Sequence, residues 1–366
     1  MCHLYMGRFF ALFEAFSSAF ICFACLIFVY IFNYVNSPEW VTKDSIITNQ
    51  PLKDHVWATY YSYFKDNSDS NIWNFWNLSN STISVSFSPM ISPKNGLYNS
   101  TNKAALISHF DQLTYAGIKG IIIPWIGLSR LSSDASSFLD LHIKELLNTA
   151  KDYQIKIGII IPKYEGRTWN SIFQDIESFK SKFITYRNML RFQKRPVVII
   201  EDSHELPNTL TYLQKVRRSR NDCFFIGSSH EESDLLNGIE DGFDAMTSVS
   251  ITDSDSWASK SSNWRQIVET FAERGASLIP SISPVSNDNN RNGGKFYQTT
   301  WEKAIESQAH IFLINSFNNW FENTSIEFAK SGEKSQLSIN NWAENNSTAF
   351  IDISKTNILK VKGQKK

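Results

Sequence analysis

Net charge is the first thing this sequence lacks, because 36 basic residues cancel 36 acidic ones. No global field exists to hold a polyanion, which sets nucleic acid aside as a partner. Cysteine is scarce as well. Of the four, Cys2, Cys22 and Cys25 precede residue 26, leaving Cys223 alone in the rest of the chain. That remainder must be stable without an internal disulfide. The seven histidines show no ligand spacing, so neither a metal nor a cofactor is expected. Long apolar runs are missing too, with one exception. Ala15 to Phe32 is a stretch of 18 uncharged, mostly apolar residues, long enough to cross a hydrocarbon core of about 30 Å as a helix.

That exception sets the expected compartment. Asn33-Tyr34-Val35-Asn36-Ser37-Pro38 follows the run without a small-x-small cleavage site, so an uncleaved signal anchor is expected rather than a signal peptide. Arg8 and the terminal amine precede it and Glu39 follows, a bias that keeps the N-terminus cytosolic. The organisation implied is a cytosolic tail (1–14), one transmembrane anchor (15–33), a luminal stem (34–54), a large domain (55–350) and a C-terminal tail (351–366). The end of that tail, Lys360 to Lys366, reads as a disordered basic segment, and Lys215 to Arg220 as a solvated helix end. Asn-x-Ser/Thr sequons stand at Asn77, Asn80, Asn99, Asn323, Asn345 and Asn346, all on the luminal side.

What the chain has in plenty is aromatic: 11 Trp, 13 Tyr and 27 Phe make 14% of 366 residues. Such a composition suits a bulky core or sugar-stacking platforms. Eight short β-rich runs recur, at Val56–Tyr61, Gly120–Trp125, Lys156–Pro162, Pro196–Asp202, Cys223–Ser228, Phe243–Ser248, Ser277–Ser283 and His310–Ser316. Segments of helical spacing lie between most of them, including Lys103–Ala116, Phe138–Tyr153, Ser171–Leu190, Trp264–Arg274 and Tyr297–Gln308. The alternation predicts an α/β protein, a (β/α)8 TIM barrel preceded by a single N-terminal transmembrane helix. Strand ends then line one mouth. They bring Tyr60-Tyr61-Ser62-Tyr63, Trp125, Tyr164-Glu165-Gly166-Arg167, Glu201-Asp202-Ser203-His204 and Asn318 to Glu322 to it. Ring faces and carboxylates together suit a carbohydrate.

The same residues resemble the glycoprotein endo-α-1,2-mannosidases of glycoside hydrolase family 99. The likeness runs in order from Val56 to about Ala329. Ala58-Thr59-Tyr60-Tyr61-Ser62 resembles the family's opening strand, Gly120 to Trp125 its strand ending in Ser-Trp, and Phe243-Asp244 its Phe-Asp-Gly strand. Ile279 to Pro284 and Asn290 to Tyr297 are similar to its Ile-Pro-Ser-Val-x-Pro and Arg-x-x-Gly-Lys-Tyr-Tyr segment. Ser316-Phe317-Asn318 begins its motif Ser-Phe-Asn-Glu-Trp-His-Glu-Gly-Thr-x-Ile-Glu. The resemblance implies a Golgi type II membrane enzyme with a barrel domain in the lumen, acting on glucosylated mannose of N-glycans. In such a site the first Glu takes the proton of the sugar's own 2-hydroxyl, giving a 1,2-anhydro sugar, and the second protonates the leaving oxygen.

Here the base position holds Asn319, while Glu322 matches the acid, Trp320 the Trp and Glu327 the final Glu. Phe321 replaces His and Asn323 replaces Gly. An amide cannot take the hydroxyl proton, and a missing general base typically costs about 10²- to 10⁴-fold. The family's His-x-Glu-Pro-Tyr pattern reads Ile160-Ile161-Pro162-Lys163-Tyr164, and Glu201 stands where its Tyr-Asp-Ser has tyrosine. Tyr60, Tyr61, Trp125, Tyr164, Asp202, Asn318 and Trp320 are the expected sugar contacts. Glu201 or Glu165 could substitute as base, and His204 is either a loop residue or a sugar contact. Two functions follow: an endo-α-1,2-mannosidase-like hydrolase, or a non-catalytic glycan-binding protein on the same barrel.

In sealed microsomes the domain beyond the anchor should resist added protease and lose mass on deglycosylation. Glycopeptide mapping should find sugar on Asn77, Asn80 or Asn99 and none on Asn323, which adjoins Glu322. Sequons left bare in a secretory host would overturn the topology.

Overall fold

The computed structural model describes residues 55–363, excepting 68–71, 76–84, 88–91, 129–130, 132, 184–185, 220–221, 249–252, 254–255, 287–289 and 331–345. The expected tail, anchor and stem (1–54) and the sequons at Asn77, Asn80 and Asn345 lie outside the described residues. Among the described residues no helix is long and apolar enough to cross a membrane.

Eight short parallel strands form the centre: β1 (Val56–Thr59), β2 (Gly120–Pro124), β3 (Lys156–Ile161), β4 (Arg195–Ile200), β5 (Phe224–Ser228), β6 (Ala245–Thr247), β7 (Ser277–Ile279, resuming at Ser281–Ile282) and β8 (Phe312–Ile314). Each pairs with the next in sequence, and β1 pairs with β8 as well, Trp57 opposite Leu313 and Gly120. Proline explains the break in β7. Pro280 has no N–H for the ladder, so the segment before it pairs with β6 and the segment after it with β8.

Helices alternate with the strands: α1 (Lys103–Ala116), α2 (Ser133–Tyr153), α3 (Trp169–Phe183), α4 (Thr209–Arg217), α5 (Glu232–Glu240), α6 (Trp264–Glu273), α7 (Lys295–Glu306) and α8 (Ala349–Gly363). The ends of α1 show how local chemistry sets the bounds. Asn102 Oδ1 accepts from the N–H of Ala104 and Ala105, and Gly117 turns the chain left-handed at φ 83°. The C-terminal segment differs from expectation. Residues 351–363 are not a tail but most of the eighth barrel helix, whose Phe350, Ile351, Ile358 and Val361 are buried. Its lysines hid this apolar face. An antiparallel sheet of three short strands (Phe64–Asn67, Ile72–Phe75 and Val85–Phe87) is inserted between β1 and α1.

Alternation along the strands sorts the core into two clusters. Trp57, Ile122, Ile160, Val197, Ile199, Phe224, Ile226, Ala245, Ile279 and Leu313 fill the barrel interior. Their neighbours Val56, Ala58, Ile121, Ile123, Ile159, Ile161, Val198, Ile200, Phe225 and Met246 join the layer beneath the helices. This parity carries to the strand ends. Thr59 and Tyr61 share the inward side with Trp57, and Glu201 shares it with Ile199. Tyr60, Trp125 and Asp202 fall on the outward side.

Because α8 packs through Ile358, 1% exposed, Ile358→Ala should cost about 2–5 kcal/mol in chemical denaturation. A disordered tail would show no change.

Candidate active site

The segment from Ser316 to Glu327 folds back on itself after β8. Ser316 N–H donates to Thr324 O (3.0 Å), Thr324 N–H to Asn319 O (3.1 Å), and Glu327 N–H to Phe317 O (2.9 Å). Within this loop Asn319 N–H donates to Ser316 Oγ (2.8 Å), and Asn319 Oδ1 accepts from Glu322 N–H (3.2 Å). Asn319 therefore caps the turn that carries Glu322. Phe321 stacks on Phe64 with centroids 5.7 Å apart, seating the loop against the inserted sheet.

Beneath the loop lies a buried carboxylate. Glu327 accepts from Tyr98 O–H (3.0 Å), Trp320 Nε1–H (2.8 Å) and His109 Nε2 (3.1 Å). His109 Nδ1 meets Tyr60 O–H at 2.8 Å. The neutral tautomer with its proton on Nε2 satisfies both contacts: Nε2–H donates to Glu327, and Nδ1 accepts from Tyr60. Asn318 completes the scaffold. Its Oδ1 accepts from Tyr61 N–H (2.7 Å), and its Nδ2 donates to Tyr61 O (2.8 Å) and Tyr98 Oη (3.1 Å).

Four of the residues expected to touch sugar are buried and engaged within the protein. Tyr60, 1% exposed, lies stacked on Phe317, with its hydroxyl on His109. Trp125 has no exposed surface; it donates from Nε1 to Asp175 O and packs edgewise on Phe179 and Phe183. Neither ring face is open for stacking, because both residues sit on the outward side of their strands. Trp320 and Asn318 are buried too, and their polar atoms serve Glu327, Tyr61 and Tyr98. They support the loop and β1 from below.

What faces the mouth is smaller and more charged. Tyr61 is half-buried; burial, then Glu322 and Glu201, push its phenol well above the ordinary value, while the Asn319 side chain bonds to it and opposes the rise. Glu322 is open to solvent as a residue. Protein crowding around its carboxyl, helped by Glu201, raises it above the usual carboxylate range. Glu201 is likewise raised, chiefly by desolvation, and Oε2 accepts Lys163 N–H at 2.9 Å. Tyr61, Asn319, Glu322 and Glu201 thus form one electrostatically connected group. Glu165 stands apart, exposed in the turn after β3.

At the edge, Asp202 takes a left-handed backbone at φ 44° and faces His230 Nε2 at 3.4 Å. That contact holds the Asp202 carboxyl down and lifts the His230 imidazole. Tyr164 is half-buried, its hydroxyl 2.6 Å from Asp175 Oδ2 and 2.8 Å from Ser171 Oγ. His204 is exposed, with Nδ1 3.3 Å from Ser229 Oγ. His230, His109 and Tyr98 were not singled out in the sequence. Only His109 left a trace there, as a histidine on the buried side of an amphipathic helix. Among the described residues no group of three or more His, Cys, Asp or Glu side chains could hold a metal ion. A cavity of about 790 Å³ lined by Arg265, Lys303, Ser262 and Ser307 lies outside this group. Its two cations already pair with Glu269 and Glu306.

Comparisons with known proteins cover most of the chain. Residues 51–360 match Glycosyl hydrolase family 99. The glycoprotein endo-alpha-1,2-mannosidase of Rattus norvegicus is 26% identical over 262 residues, 65% of this chain and 56% of the relative. The glycoprotein endo-alpha-1,2-mannosidase-like protein of Homo sapiens is 28% identical over 261 residues, 65% of this chain and 57% of the relative. The chain thus spans little more than half the length of these curated relatives. The solved structure of the GH99 endo-alpha-mannosidase from Bacteroides thetaiotaomicron is similar with a TM-score of 0.72 at 20% identity, covering 85% of this chain and 98% of that one. At such identity the likeness speaks for the fold. The match to the family itself extends over most of the sequence, and the chain belongs to glycosyl hydrolase family 99.

Proposed function

We propose that the chain recognises glucosylated mannose of N-glycans as an endo-α-1,2-mannosidase-like protein of the Golgi lumen, anchored through residues 15–33, and that its hydrolysis is very slow. The carrying observation is the Asn319–Glu322 turn. Glu322 has what an acid needs: a carboxyl raised by crowding, at the mouth, able to protonate a leaving oxygen. Asn319 has an amide that cannot accept a proton, and its oxygen is already bonded to Glu322 N–H. Bond cleavage is assisted on the leaving side, and the attacking hydroxyl finds no acceptor at position 319. Ile160, 6% exposed, belongs to the interior cluster, so that position also offers the sugar no polar group.

A second reading, glycan binding without turnover, draws on the same amide. Tyr61, Tyr164, Asp202 and Glu201 remain to contact hydroxyls and ring faces, whereas Tyr60 and Trp125 do not. Of the two candidate substitute bases, Glu201 is favoured over Glu165, because Glu201 perturbs both Glu322 and Tyr61.

Full-length protein should turn over a glucosylated high-mannose glycan barely or not at all. Asn319→Glu should raise the rate, with about 10³-fold as the ceiling if the base were the only defect. Ile160→His with Pro162→Glu should help only when Glu is present at 319. Glu322→Gln should remove residual turnover and leave binding largely intact. An ordinary glycosidase rate in the unmodified protein, lost in Glu201→Gln, would show that Glu201 is the base and overturn slow hydrolysis.

A further inference from the structure

Arg291 has no exposed surface, although it lies just before α7 and carries a guanidinium. It reaches the Glu322 loop with two donors. Nε–H donates to Asn323 Oδ1 (3.1 Å) and Nη2–H to Asn323 O (2.6 Å). On its other side the guanidinium sits over the Phe350 ring, 4.7 Å from the centroid. Phe350 belongs to α8, is fully buried, and packs against Tyr297 of α7. Burial disfavours the charge and brings Arg291 down to about 9, still protonated at neutral pH. A buried cation is costly unless bonded, so this one constrains whatever it bonds.

What it bonds is the residue next to the acid. Asn323 has φ 56°, in the left-handed region, which asparagine tolerates better than most residues. Both its backbone carbonyl and its side chain are fixed by Arg291. On one side Glu322 N–H is capped by Asn319; on the other, Asn323 is clamped. We propose that Arg291 is a positioning residue that, braced by Phe350 of the C-terminal helix, holds the Glu322 loop in register at the mouth. The inference rests on the reading of Glu322 as the acid. It also bears on the sequon expected to stay bare. Asn323 Oδ1 is held by Arg291, and the sequon hydroxyl of Ser325, fully buried, donates to Phe317 O at 3.1 Å.

The test is Glu322 itself, followed in full-length protein by carboxyl NMR with ¹³C-labelled glutamate and assigned by loss of its signal in Glu322→Gln. Releasing the loop should move the carboxyl outward, away from Glu201 and toward water. Arg291→Met should therefore lower the Glu322 midpoint by about half a pH unit or more. Arg291→Lys should recover part of the shift, since an ammonium keeps the charge but cannot reproduce the planar fork. A purely structural arginine would lower the melting temperature and leave the Glu322 midpoint unmoved in the folded variant; that result overturns the proposal. Should Arg291→Met fail to fold, Arg291→Lys decides, and an unshifted midpoint there overturns it equally. Calorimetric titration of a glucosyl-mannose disaccharide separates this from the functional reading. Glu322 moving in a chain that binds no disaccharide supports the positioning role while sinking the mannoside reading. Glu322 unmoved in a variant whose parent binds disaccharide sinks the positioning role alone.

Discussion

A carboxylate buried beneath the mouth is the constraint on which the site depends. Glu327 is 4% exposed, and a buried carboxylate without partners costs several kcal/mol. Its three donors come from three parts of the chain: Tyr98 from the segment before α1, His109 from α1 itself, and Trp320 from the loop after β8. Satisfying one charge therefore fixes where the first helix meets the last strand. His109 passes the constraint on to Tyr60 at the end of β1. Removing any one donor leaves charge unsatisfied, so the elements can move only together. Glu322 and Asn319 stand on the upper side of this arrangement.

The barrel was legible because its strands are apolar and most are separated by segments of helical period. Which side chain points inward was not. Gly120-Ile121-Ile122-Ile123-Pro124-Trp125 is apolar at nearly every position, since a parallel strand inside a barrel is covered on both faces. Nothing in such a run marks its phase. A one-residue difference in parity separates Tyr61, facing the mouth, from Tyr60, packed on Phe317 and bonded to His109. The same difference sends Trp125 under the helices. The eighth helix was hidden for a related reason. Lys355, Lys360 and Lys362 are interspersed along it, and the apolar residues that anchor it are spaced through a segment that reads as a charged tail.

Site chemistry was legible where it lay on consecutive residues and obscure where it crossed the barrel. Asn319 and Glu322 sit three apart in one turn, so spacing alone related them. Glu201 leaves β4 on the far side, and only the folded chain shows that its charge acts on Glu322 and Tyr61. The Glu327 network is more dispersed still, joining positions 60, 98, 109, 320 and 327. No local pattern records such a set, because it is assembled by the closure of β1 on β8.

The two asparagines flanking Glu322 bear on what the site does. On the family resemblance read in the sequence, Asn319 takes the place of a carboxylate and Asn323 that of a glycine. Each side-chain oxygen makes a bond within or beside the loop: Asn319 to Glu322 N–H, Asn323 to Arg291. A glycine at 323 would provide the carbonyl bond but not the side-chain one. A glutamate at 319 would have to divide its oxygens between the turn and the sugar. On that reading the two amides exchange proton-accepting capacity for a firmer hold on Glu322. A raised carboxyl held in one pose suits hydrogen bonding to a sugar oxygen, which needs no proton acceptor opposite. Cleavage needs that acceptor, and Glu201, across the barrel, is the carboxylate whose charge reaches Glu322.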